Sequence, residues 1–491
     1  MTSGSFYMGL DVGTQSTKGV LLDASARGAE AIVARKSEPY GLISGLPPGA
    51  AEQHPHTWRG AVKKVIAQLV ACAAGSPLRG VGVSGQQHGL VTLDEDDEVV
   101  RPAKLWCDTT TSAEAAAITA AGRYAVPTGF TLPKLLWMKN HEPQLFARVR
   151  HVLLPHDYIN FLLTGERFME AGDASGSGAF DPHTRTIDHD ILRFVDERAP
   201  GFFPQLVRPD APAGRVSAEA ARAFGLTQGA IVSPGGGDNM MSAIGSGATA
   251  PGATVMSLGT SGTVFAYSAT PVIDPEGEIA AFCDSTGAWM PLLCTMNVTG
   301  VTEEVRGSFG LGHDAITALA SEIPAGSEGV LMLPYLTGER VPNLPQATAA
   351  FLGLRPGTLT PGHLFRAAIE GTTLGLVSGV EKMKRLGLEV SSVRLVGGGS
   401  KNPLWRSVVA DALGVPTQVL LEPESAALGA ALQALWVDRR EGGAAVSIDE
   451  VAAPFVQLAP QVSEPEPSNV ALYRELLSTF QERTKSLFGP T

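Results

Sequence analysis

Cysteine is scarce in this chain: Cys72, Cys107, Cys283 and Cys294 are the only four in 491 residues. None forms a CxxC pair, and a chain of this length needs no stapling, so neither a disulfide framework nor a zinc ribbon is expected. Long apolar runs are missing too, with nothing approaching the roughly 18 residues of a membrane span. No basic residue precedes Lys18, so the amino end does not read as a secretory leader, and a reducing cytoplasm is the expected compartment. Positive charge is in deficit: 37 Lys and Arg stand against 49 Asp and Glu, a net charge of −12. That balance argues against nucleic acid and anionic membranes as partners. The chain also lacks GxxxxGK[ST] and GxSxG, which disfavours a P-loop and a nucleophile-elbow hydrolase.

What is present fits a globular enzyme, with 44% hydrophobic and 18% charged residues. At about 150 residues per domain the length allows two to four domains. "FYMGLDVGTQSTKGVLLD" reads as strand, glycine turn, strand, and "WRGAVKKVIAQLVACAA" as a helix running into the buried strand of "LRGVGVSGQQHGLV". Helix and strand alternate, which makes the class α/β. From about Lys134 to Phe194 the pattern turns mostly helical. A second glycine hairpin, "TVMSLGTSGTVFAYS", then echoes the first, pointing to two related lobes, residues 1–247 and 248–491, divided within the small-residue stretch "GSGATAPGA". Residues 440–468 read as a connection, and "NVALYRELLSTFQERTKSLF" as an amphipathic helix that packs on a lobe or serves a partner.

Three glycine turns follow strands, at Gly13–Thr17, Gly259–Thr263 and Gly397–Ser400. Backbone NH groups in such turns cradle anions, and three of them in one chain favour phosphate binding over simple turning. Asp11, beside the first turn, reads either as a carboxylate that holds Mg²⁺ through water or as a turn residue bonded to its own loop. Lys18 either neutralises a phosphoryl group or is a solvated strand residue. "SPGGGDNMMSA" places Asp238 after three glycines and before an apolar helical run. It is a helix cap, a base that accepts a hydroxyl proton during phosphoryl transfer, or both. Gln87 and His88 in "SGQQHGLV" offer polar contacts to a polyol or are ordinary structural residues.

At these residues the sequence resembles the FGGY carbohydrate kinases. "GLDVGTQSTKGVLLD" and "SLGTSGTV" are similar to the two phosphate hairpins of that family. "GFTLPKLLWMKNHEP", with Thr131, Lys134 and Trp137, and "AAFLGLRPGTLTPGHLFRAAIEG", closing on Glu370 and Gly371, are similar to its two signatures. The resemblance implies two actin-like (ribonuclease H-like) lobes with ATP in the cleft, Mg²⁺ as cofactor, and transfer of the γ-phosphoryl group to a terminal sugar hydroxyl. It is strongest toward ketopentose kinases, with D-xylulose as the leading substrate and ribulose, another ketose or a polyol as the alternative. It implies Asp238 as base, Asn239, Gln87, His88 and Trp106 as sugar contacts, and Asp11 toward the metal. Thr14, Lys18, Gly259, Thr260 and Thr263 fall on the phosphate side, and Gly397, Gly398 and Asn402 on the adenosine side. A homodimer is the family expectation. Two stretches depart from the pattern. Cys107 and Thr110 replace an Asn and an Arg after Trp106, and Asn343–Ala349 lacks an Asp and an Arg, which leaves the sugar's identity open. The competing class is an actin-like nucleotide-dependent switch that hydrolyses ATP without a sugar.

Overall fold

The computed structural model describes residues 5–73 and 75–489. Strand Phe6–Val12 turns back into Ser16–Asp23 and then Ile32–Pro39, an antiparallel meander. On its other side Phe6–Val12 runs parallel to Leu78–Gly85, which pairs in parallel with Ile231–Val232 and Gly236–Gly237. Gly214–Arg215 closes the edge in antiparallel sense. The second sheet repeats this plan. Gly252–Leu258, Gly262–Ala266 and Leu292–Thr295 form the meander, Val390–Val396 and Thr417–Leu420 are the parallel strands, and Leu458–Ser463 is the antiparallel edge. The repeat is therefore in topology as well as in the two hairpin sequences.

Alternation along the first strand shows how the sheets are covered. Met8, Leu10 and Val12 face a core shared with Trp58, Val62, Val65 and Ile66 of helix Pro55–Cys72. Tyr7, Gly9 and Asp11 face the opposite side, where helix Ser425–Glu441 lies against the sheet. This helix comes from the second half of the chain and is buried from Ala426 to Val437, which is why its sequence is small and apolar all round. Its approach requires glycine. A Cβ on Gly9 would fall 1.8 Å from the Ala427 carbonyl oxygen, and one on Gly429 would fall 1.8 Å from that of Met241. Ion pairs reinforce the seam at Lys18–Glu424, 2.8 Å, and Arg35–Glu422, 2.5 Å.

Residues 86–230 fill the crossover between the parallel strands of the first sheet. They carry helices Ser112–Ala121, Thr131–His141, Pro155–Thr164 and His189–Val195. These helices have their own core of Leu132, Leu135, Met138, Phe146, Leu192 and Phe202. Two readings of the sequence change here. The presumed connection at 440–468 contains helix Ile448–Ala452 and the edge strand Leu458–Ser463. That strand is largely exposed and contains Pro460, both tolerated at a sheet edge and both weak strand signals. Helix Pro467–Phe488 packs on a lobe, burying Tyr473 and Phe480 against helices Pro361–Arg385 and Pro403–Leu413. Among the described residues no helix is long and apolar enough to cross a membrane.

Candidate active site

The carboxyl ends of the parallel strands bring two acidic residues together. Asp11 lies opposite Ser84 in the register, and the Ser84 hydroxyl donates to Asp11 Oδ1 at 2.8 Å. One step further along, Gly236 and Gly237 pair with Ser84 and Gly85, and the chain enters helix Asp238–Gly245. Asp238 is the first helical residue, and the capping position belongs to Gly237, with no side-chain cap bond. The cap reading of Asp238 therefore drops out. Its Oδ1 accepts from the Asn239 backbone NH at 2.8 Å and from Asn239 Nδ2 at 3.0 Å. Burial, together with the charges of Asp11 and Asp173, pushes its pKa from 3.8 up to about 8. Burial likewise raises Asp11, against the pull of Ser84 and Lys18.

The three glycines before Asp238 are explained by packing. A Cβ on Gly235 would meet the Val83 carbonyl at 2.3 Å, one on Gly236 Ser285 Oγ at 2.3 Å, and one on Gly237 Gln87 Cγ at 2.7 Å. The loop is clamped from outside as well. Asn160 Nδ2 donates to the Pro234 carbonyl at 2.9 Å, and buried Gln433 of the seam helix accepts from Gly235 NH at 2.8 Å and donates to its carbonyl at 3.2 Å. Tight seating of the loop, with no ligand approaching it, already accounts for those glycines.

Gln87 is buried, and its Oε1 accepts from Asn239 Nδ2 at 2.9 Å. His88 follows at φ 65°, stacked on Phe130 with ring centroids 4.5 Å apart. Its unusual backbone is pinned by the family-like signature, since Lys134 Nζ and Thr131 Oγ1 both donate to the His88 carbonyl, at 2.6 and 3.2 Å. Burial and the Lys134 charge lower the His88 pKa to about 3, so the imidazole is neutral. Burial also lowers Lys134 to about 7. Trp137, the third signature residue, offers its ring face to Lys104 at 4.0 Å. Trp106 Nε1 donates to Thr14 Oγ1 at 3.0 Å, which in turn donates to Gln86 Oε1 at 3.0 Å. Thr14 is thus engaged on the Trp106 side of its hairpin.

In the second sheet the hairpin and the Gly397 turn meet. Gly397 has φ 85°, and a Cβ there would fall 2.7 Å from the Leu258 carbonyl and 3.0 Å from Gly259 N. Thr260 is exposed, Thr263 half-buried, and Gly398 exposed with open space where a side chain would stand. Lys18 pairs with Glu424. Asn402 caps helix Pro403–Leu413, accepting from Leu404 and Trp405 NH groups, while its Nδ2 donates to Thr317 Oγ1 at 3.0 Å. Its amide is therefore occupied structurally.

Sequence reasoning missed Asp173, His156, Gln433 and Arg340. Arg340 is exposed, and its charge reaches both His88 and Cys107. It stands in the "GERVP" motif, whose arginine was a legible signal. Asp173 in "GDASGSG" and His156 in "LLPHDY" carry no local mark of their role.

Bare glycine turns at the strand ends of one sheet and a pair of carboxylates at those of the other suit phosphoryl transfer, and the comparisons agree. The N-terminal domain of the FGGY family of carbohydrate kinases matches residues 6–245, and its C-terminal domain matches residues 254–437. A xylulose kinase of Haemophilus influenzae is 38% identical over 450 residues, 88% of this chain and 90% of that protein. One from Streptomyces coelicolor is 37% identical over 455 residues, 90% of each. A crystal structure described as a xyloylose kinase from Brucella ovis superposes with a TM-score of 0.90 at 33% identity, covering 98% of this chain and 99% of that one. The two similar sheets are thus a pair of actin-like lobes, and the chain belongs to the FGGY family of carbohydrate kinases.

Proposed function

We propose that the protein phosphorylates the terminal hydroxyl of D-xylulose with ATP, giving D-xylulose 5-phosphate and ADP. The observation that carries the proton step is Asp238: a half-buried carboxylate with a raised pKa, one oxygen held by Asn239, at the ends of the parallel strands beside Asp11. Asp238 takes the hydroxyl proton as the sugar oxygen attacks the γ-phosphorus and ADP leaves. Asn239, His88 and Trp106 line the sugar side. The turn from Gly259 to Thr263 receives the phosphates, with Thr14 and Lys18 opposite, and Gly397, Gly398 and Asn402 bound the nucleoside. The lobe division at 247/248 and a homodimeric assembly belong to this same reading. The chain carries a polar loop at Gln87 and His88, which a bare nucleotide switch has no use for.

The residues fit a magnesium ion of the kind that keeps its water. Among the described residues no group of three or more His, Cys, Asp or Glu could hold a metal by itself. A cation here therefore takes its ligands from water and phosphate, with Asp11 as the nearby carboxylate. When bound, Mg²⁺ supplies charge neutralisation on the transferring phosphate.

The test is ADP release with MgATP against D-xylulose, D-ribulose, L-ribulose, L-xylulose, glycerol and no sugar. Stimulation by D-xylulose above the rest is expected. Stimulation by another sugar would make Cys107, Thr110 and Asn343–Ala349 its specificity determinants, and equal rates with and without sugar would overturn the kinase reading.

A further inference from the structure

Behind the sugar side of the cleft lies a buried ion pair that the proton step does not use. His156 is wholly buried between two carboxylates, with Nδ1 2.7 Å from Asp173 Oδ2 and Nε2 3.0 Å from Asp157 Oδ1. Burial pulls the imidazole down, and the two carboxylates more than reverse it, so its pKa stands well above the ordinary histidine value. Asp157 is fixed in turn by the Leu154 NH, at 2.9 Å. Glu170, beside them, accepts from the Gly172 and Asp173 NH groups and closes the cluster.

From Asp173 a path of side chains leads to Asp238. Gln87 Nε2 and Asp173 Oδ1 are both buried with no hydrogen-bond partner, an unpaired donor and an unpaired acceptor. Burial raises the pKa of Asp173, and Gln87, as a nearby donor, pulls it the other way, toward the carboxylate. At its other end Gln87 Oε1 accepts from Asn239 Nδ2, which also donates to Asp238 Oδ1. A carboxylate only accepts, and a carboxamide has one accepting and one donating end. An ionised Asp173 therefore turns the NH₂ of Gln87 toward itself and the carbonyl toward Asn239. Asn239 must then spend both amide hydrogens on Gln87 and Asp238, which leaves its own carbonyl as an acceptor.

We propose that the His156–Asp173 pair is a positioning device that fixes the donor and acceptor direction of Gln87 and Asn239 and so holds Asp238 in its reactive orientation. Gln87, expected to touch the sugar, acts through Asn239. The charged groups around this path are Asp11, Lys18 and Glu424 on the nucleotide side and Asp157, Glu170 and His156 behind it. The assignment rests on the kinase reading above.

A cycle of four proteins tests it: wild type, Asp173→Asn, Gln87→Glu and the double variant. Gln87→Glu sets two acceptors face to face. Adding Asp173→Asn restores a donor opposite an acceptor while keeping an acceptor toward Asn239. Kinetic constants come from sugar-dependent ADP release, and folding is checked by ADP binding and thermal unfolding. Each single variant is expected to lose about 100-fold in kcat with ADP affinity within about threefold, and the double variant to recover at least tenfold over Gln87→Glu. Losses that simply multiply in the double variant would overturn the assignment. If Asp173→Asn does not fold, Gln87→Glu against Gln87→Met decides, with the glutamate variant expected to be the slower and equal rates overturning the polarity argument. A wild type that shows no sugar-dependent turnover would overturn the kinase reading and this assignment together, which separates the two failures.

Discussion

The two lobes share one sheet topology and differ in what stands at the strand ends. In the first, the ends of Phe6–Val12 and Leu78–Gly85 carry Asp11 and Ser84, and the neighbouring Gly236–Gly237 delivers Asp238. In the second, the matching ends lead into Gly259 and Gly397, where the backbone is bare. The crossover between the parallel strands spans 86–230 in the first lobe and only 397–416 in the second. On the reading proposed here, one topology serves proton transfer where its strand ends carry carboxylates and anion binding where they carry glycine. The long crossover adds the side chains that shape the first site, and the short one keeps the second turn against its hairpin.

Four experiments press on that contrast. The seam is the most sensitive element, because its helix belongs to the second half of the chain and packs on the sheet of the first. Gly429→Ala places a Cβ 1.8 Å from a backbone oxygen and is expected to cost about 3 kcal/mol or more, read as a fall in the thermal midpoint. By contrast Gly398→Ala, with open space around it, should leave that midpoint unchanged. Next, Lys134→Met removes the donor from the Gly129 carbonyl and leaves the His88 carbonyl with Thr131 alone. At about 1–3 kcal/mol for the acceptor left unpaired the sugar loop loosens, so sugar kcat/KM should fall by 10- to 100-fold while ADP affinity holds.

The third concerns pH. The carboxylate of Asp238, with a pKa near 8 in the free chain, must ionise to act as a base, so kcat/KM should rise about tenfold per pH unit below that value. The stability effect has the opposite sign. A carboxylate whose folded pKa is raised stabilises the fold while protonated, fully below its ordinary 3.8, and that contribution is lost as pH rises through about 8. Asp238→Asn should therefore melt higher than wild type above pH 8. The smallest effect belongs to the second lobe. Asn402→Ala should cost about 1 kcal/mol as a lost helix cap. If Asn402 acts only as a cap, the KM for ATP stays put; a several-fold rise would show that it also contacts the nucleoside.

Much of this plan was legible because the hairpins are local: strand, glycine turn and returning strand lie within a few residues, and their echo marked two lobes. Asp238 was legible for a reason that proved incomplete. Its glycines seemed to make room for chemistry, whereas Val83, Ser285 and Gln87 press on them from distant parts of the chain. The edge strand Leu458–Ser463 was hidden because an exposed, proline-bearing edge lacks alternation. Asp173 and His156 gave no signal because their meaning lies in juxtaposition. They meet through the fold of residues 86–230, and a histidine or an aspartate alone in sequence does not announce a buried pair. Asn402 was read for nucleotide contact, and the fold adds that its amide also caps the helix it begins, which the sequence alone did not show.

The most direct test of the account is D-xylulose-dependent ADP release by Asp238→Asn beside wild type, with ADP binding measured on the same samples. The account predicts a fall in turnover of 1,000-fold or more with ADP affinity within a few fold, since about 4 kcal/mol of barrier belongs to a positioned base. A variant that kept more than about a tenth of wild-type turnover would leave less than roughly 1.4 kcal/mol to that carboxylate and would contradict its role as the base.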